Sequence, residues 1–175
     1  MATGTAATRL DPTRYHGRIW LTRPRPGVDR MSSAWLIRRF VDPKARFVFG
    51  DPKREPETVP FDTFEAEFGH HGTNCTFETL CQRFAIDDAA IQHIGRIVHD
   101  LDLKESKYKE ADAETVGRLV EGLRRAHHDD EALLRAGMDL FEALYQSLAA
   151  RPGARETSAR RAAPTRGRRK KPRVS

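Results

Sequence analysis

The chain has 175 residues, 38% hydrophobic and 32% charged, with a formal net charge of +6. That length suffices for one domain with its own core, and no run approaches the roughly 20 apolar residues of a membrane helix. The opening MATGTAATRLDPTRYHGR has no apolar core of a secretory signal, and two cysteines, Cys75 and Cys81, suit a reducing compartment, so a cytoplasmic protein without a membrane partner is expected.

The positive charge is uneven. Residues 151–175 carry ten Arg or Lys and one acid, Glu156, a net +9, which leaves the rest of the chain at −3. Such a tail has too little apolar surface to fold alone. It reads as a disordered basic end, able to make weak, salt-sensitive contact with nucleic acid. No aromatic residue interrupts the charges, so base stacking is not supported. Residues 1–17 read as a disordered N-terminal arm, and 18–150 as the folded domain.

Within that domain, residues 18–22 read as a strand and 29–41 as a helix capped by Asp29. The loop between them holds Pro24, Gly27 and the arginines Arg23 and Arg25, with Arg30 just inside the helix. A strand leading through a loop to a helix N-terminus is a common anion site, because the first N–H groups of the helix are unpaired. Arginine forks suit a tetrahedral oxyanion. The same arginines would otherwise be solvated surface residues. Asp42-Pro43 ends the helix, and residues 45–49 read as a second strand, parallel to the first. Residues 59–64 read as a short edge strand weakened by Pro60.

Gly69 and Gly72 then bracket His70-His71, glycines that allow close backbone approach. Asn74 or Thr73 is expected to cap the next helix, which buries Phe77, Leu80, Cys81 and Phe84. Cys75 falls in its first turn, where the helix dipole should favour thiolate. Asp87 or Asp88 opens a further helix with Ile91, Ile94, Ile97, Val98 and Leu101 inward, ending in His99-Asp100-Leu101-Asp102. Two more helices follow, marked by Val116 to Leu123 and by Leu133 to Leu148. The fold class is therefore α+β, mainly helical: a small β-α-β start of two or three short strands, then a bundle of about four helices.

Imidazoles, carboxylates and a thiol in this set also suit a divalent metal. Asp29, Glu67, His70, His71, Cys75, His99 and Asp100 are the candidate ligands, while Arg23, Arg25, Arg30, His70 and His71 are the candidate oxyanion contacts. No dinucleotide fingerprint, Walker loop, C-x-x-C pair or G-x-S-x-G elbow is present.

Three stretches, TRPRPGVDRMSSAWLIRRFVDPKARFVF, VPFDTFEAEFGHHGTNCTFETL and IVHDLDL, together resemble the C-terminal domain of ChrB-type chromate resistance proteins. The resemblance covers roughly residues 18–148. It implies a bacterial stress-response role in chromate resistance and a chromate-responsive oxyanion-binding or sensor domain for chromate or a sulfate-like anion. Longer members of that family regulate transcription and carry an added N-terminal domain to which DNA binding is attributed, a domain this chain is expected to lack. A second resemblance is to the DHH phosphoesterases, two-metal enzymes. Under it Asp29, His70 and His71, with Asp62, Glu67, His99 or Asp100, would be the ligands, although Gly69 stands where that signature has Asp. A third reading makes the helical half a homodimerisation or docking module.

Overall fold

The computed structural model describes residues 9–150. The basic tail read over 151–175, with its nucleic-acid contact, and residues 1–8 of the arm lie outside the described residues. β1 (Ile19–Thr22) is the centre of a three-stranded parallel sheet of order β2-β1-β3, flanked by β2 (Arg46–Phe49) and β3 (Val59–Pro60). In register, Trp20 stands beside Phe47 on one side and Val59 on the other. Trp20, Leu21 and Thr22 are fully buried, as expected of a central parallel strand covered on both faces, and Pro60 is tolerated because its strand is an edge.

Five α-helices complete the domain: α1 (Val28–Leu36), α2 (Thr76–Phe84), α3 (Ala89–Asp102), α4 (Ala113–Ala126) and α5 (Asp130–Ala149). The fold is α+β and mainly helical. α1 loosens into a widened π turn over Ile37–Val41 before Asp42 ends it. The core runs from Trp20 and Phe61 in the sheet through Met31 and Leu36 of α1 to Leu80, Ile94 and Phe141 of the bundle. Each such fully buried side chain contributes about 1.5–3 kcal/mol relative to exposure. α1 packs on α5 at Gly137, where an added Cβ would run into the Met31 side chain.

Several local expectations are corrected. The loose arm does not extend to residues 9–17. Leu10 N–H donates to the Arg83 carbonyl at 2.8 Å, a 3-10 turn spans Pro12–Tyr15, and the Tyr15 ring meets Trp20, Phe68 and Phe84. The Asp42 carboxylate secures that segment, accepting from the N–H groups of Gly17, Arg18 and Lys44 and from Trp20 Nε1. Burial pushes the Asp42 carboxyl up, but these four donors outweigh it and hold it below its usual range. Asp29 does not cap α1, whose N-cap is Gly27. Neither Thr73 nor Asn74 caps α2: Cys75 does, in a capping box with Glu78. Gly69 serves the loop itself, since a Cβ there would press on the Ala66 carbonyl at 3.3 Å, and Gly72 supplies a left-handed turn with φ of 61°.

Candidate metal centre

Beyond the carboxyl ends of β1 and β3, several polar chains meet, the usual location of a site in an open parallel sheet. Arg23 leaves the end of β1 and Asp62 follows β3. Asp29 and Arg30 lie in the first turn of α1, Asp102 is the last residue of α3, and His70 reaches in from the 61–74 loop. The chain takes left-handed φ of 48° at Asp62, a conformation Asp tolerates better than most residues.

The His70 Nε2 is 3.2 Å from Asp29 Oδ2, 3.2 Å from Asp102 Oδ2 and 3.5 Å from Asp62 Oδ1. Asp29 is buried by a neighbouring helix: the N–H groups of Thr76 and Phe77 donate to its two oxygens at 2.8 and 2.9 Å, and Ser33 Oγ adds a bond to Oδ1. Asp29 thus sits against the N-terminal N–H groups of α2. Asp62 accepts from Arg23 Nη2 at 3.2 Å, from Arg30 Nε at 3.0 Å and from Thr76 Oγ1 at 3.1 Å. Arg30 is further fixed through Nη1, which donates to the carbonyls of Arg23 and Pro24.

Burial leads the shifts of the two carboxyls, with like charge second. Burial, then the nearby Asp29, pushes Asp102 up to about 6. Burial and Asp29 raise Asp62 as well, against the pull of Arg23, Arg30 and His70. Its bond to Asp29 raises His70, with Asp102 and Asp62 acting in the same direction against partial burial. Burial lowers Arg30 despite its carboxylate partner.

One ligand atom each from Asp29, His70 and Asp102 lies within 4.8 Å of the others. Ligands about 2.1 Å from an ion stand roughly 3 Å apart when adjacent and about 4.2 Å apart across it, so small movements would close these three on one cation. One imidazole with carboxylates suits a hard or borderline divalent ion, which would displace the His70 proton on binding. The second neighbours are already in place: α2 N–H groups behind Asp29, arginines behind Asp62.

Of the residues singled out from sequence, Arg23, Arg30, Asp29, Asp62 and His70 meet here. Arg25 turns away, its guanidinium donating to the carbonyls of Arg124 and His127 and its N–H to Asp130. His71 is exposed, bonded to the Glu67 carbonyl, and Glu67 pairs with Arg83. Cys75 is fully buried, and burial with the Asp29 charge raises its thiol, the reverse of the expected thiolate. His99 has both nitrogens against carboxylates, Glu78 at 2.8 Å and Glu105 at 3.1 Å. Asp100 holds the following loop, accepting from the N–H groups of Lys107, Tyr108 and Lys109.

Asp102, read from sequence as a polar residue in the last turn of α3 but not among the candidate ligands, joins them at the site. Its signal lay in periodicity: it extends the buried row Ile91, Ile94, Val98 of α3 by one more turn, and an acid on a buried row needs a partner.

Among the described residues, no helix is long and apolar enough to cross a membrane. No solved structure matches the chain. Protein ChrB of Cupriavidus metallidurans is 36% identical over 140 residues, covering 78% of this chain and 43% of that protein, so the chain spans less than half the relative's length. The family described as the C-terminal domain of ChrB matches residues 20–148, nearly all of the sheet and of the bundle, and the chain belongs to that family.

Proposed function

We propose that this chain is a chromate-responsive domain whose oxyanion site is built on a divalent metal. Asp29, His70 and Asp102 would hold the ion, and Arg23 and Arg30 would flank the oxyanion bound to it. The observation that carries the reading is the gathering of ligand atoms from Asp29, His70 and Asp102. Three carboxylates, Asp29, Asp62 and Asp102, surround His70, and both arginines already bond Asp62. The arginine charge is thus already directed at Asp62, while a cation would find three ligand atoms gathered. Chromate resistance itself is carried over from the ChrB family resemblance.

The test is titration calorimetry on chelator-treated protein, first with Mn²⁺, then with chromate or sulfate. One Mn²⁺ per chain is expected, with saturable oxyanion binding only afterwards, and loss of both in Asp102→Asn. Chromate binding that is equally tight without any metal would replace this reading by an arginine pocket alone. The phosphoesterase reading draws no comparable support, since the cluster offers ligands for one ion rather than two.

A further inference from the structure

A second histidine lies one turn before Asp102 on α3. His99 is 1% exposed, its Nδ1 is 2.8 Å from Glu78 Oε2, and its Nε2 is 3.1 Å from Glu105 Oε2. A carboxylate only accepts hydrogen bonds, so an imidazole facing one at each nitrogen is satisfied on both sides only as the cation. Tyr108 covers the ring edge-on at 5.1 Å. Glu105 is brought there by the loop after α3, which Asp100 ties down.

Glu78 is also the link to the candidate site. The same Oε2 accepts from the Cys75 N–H at 3.0 Å, closing the first turn of α2. The next two N–H groups of that turn, Thr76 and Phe77, are the ones that grip Asp29. His99 therefore joins the two helix ends that deliver the site: the start of α2, which holds Asp29, and the end of α3, which carries Asp102.

We propose that His99 is a positioning residue for the metal site, an imidazolium strut that sets the separation of Asp29 and Asp102 through Glu78. This rests on the metal reading above. His99 touches neither the ion nor the oxyanion in this role, and its effect reaches them through the geometry of two other side chains.

The experiment is Mn²⁺ titration of the full chain, wild type against His99→Gln, Glu78→Gln and the double variant. Losses at supporting partners of metal ligands run to about 10–100-fold in affinity, and that range is expected for each single variant. Because the two act through one link, the double variant should be no weaker than Glu78→Gln alone. Leu148→Ala, buried at the far end of α5, controls for general destabilisation: it should lower the unfolding midpoint while leaving the Mn²⁺ affinity unchanged. Should His99→Gln fail to fold, Glu105→Gln removes the charge of the outer, half-exposed partner and should still weaken Mn²⁺ several-fold. A wild type that binds no metal overturns the metal reading and this inference with it. A wild type that binds, beside folded His99 and Glu105 variants that bind equally well, overturns this inference alone.

Discussion

Two histidines in this chain each sit among carboxylates, and only one of them is open. His70 is 42% exposed and faces Asp29, Asp62 and Asp102. His99 is 1% exposed and faces Glu78 and Glu105. The ingredients are nearly the same, but solvent access differs. At His99 two acids enclose one imidazole that solvent does not reach. At His70 three acids and two arginines surround a half-exposed imidazole at the mouth of a sheet, where the gathered ligand atoms are open to a cation. Residue type alone does not separate a strut from a site; solvent access does.

The sharpest test of this contrast is Asp29→Ala. Asp29 belongs to the open centre yet is itself buried, so its loss should abolish Mn²⁺ binding and also strand two N–H groups of α2. A cost of about 3 kcal/mol is expected from two charge-assisted bonds, read from urea unfolding. Asp102→Asn should instead abolish metal binding with little loss of stability. If the two variants unfold alike, the division of labour between them is wrong.

The pH dependence is next in size. A carboxyl raised to about 6 from its ordinary 3.8 binds its proton more tightly in the folded chain than in the unfolded one. Metal-free stability from Asp102 therefore falls as pH rises from about 4 to about 6, by about 1 kcal/mol after allowing for solvent at this partly exposed group. His70, also raised, has the same sign: its contribution is full below the ordinary histidine value and is lost as pH climbs through the raised one. Asp42 and Asp100 are lowered and act oppositely, so the readout is wild type minus Asp102→Asn. A difference that does not change between pH 4 and 6 would remove the argument from burial and like charge.

Smaller effects mark the boundary of the site. Arg25→Ala should cost about 1 kcal/mol by uncapping the end of α4, with metal and oxyanion binding untouched. His71→Ala should change stability by less than about 0.5 kcal/mol and leave Mn²⁺ affinity as it was. A marked loss of affinity there would mean that the loop presents the wrong histidine.

Most of the architecture was legible because periodicity writes it plainly. The Ile91–Leu101 stripe, the apolar run at Ile19–Leu21 and the Asp88 cap each specify an element locally. The site was half legible. Arg23, Arg30 and Asp29 announce themselves as a loop and helix start, and His70 by its loop. Where their partners lie is a tertiary matter: Asp29 faces α2, some 47 residues on, and nothing in its neighbourhood says so. Arg25 misleads for the same reason, because its carbonyl partners lie 99 and 102 residues away. Cys75 misleads differently: the dipole argument for thiolate assumed solvent, and full burial reverses its sign.

The grip of α2 on Asp29 has a consequence for how defects in this protein would look in a cell. A side chain that serves both as a proposed ligand and as the anchor of another helix cannot be lost in one capacity only. Substitutions there would lower the amount of folded protein available, through chaperone and protease triage, before any deficit in binding could be observed. A genetic screen for loss of the proposed function would record them as missing protein rather than as silent protein. The substitutions that leave normal levels of an unresponsive chain should instead concentrate at Asp102 and His70, whose backbones are held by other means.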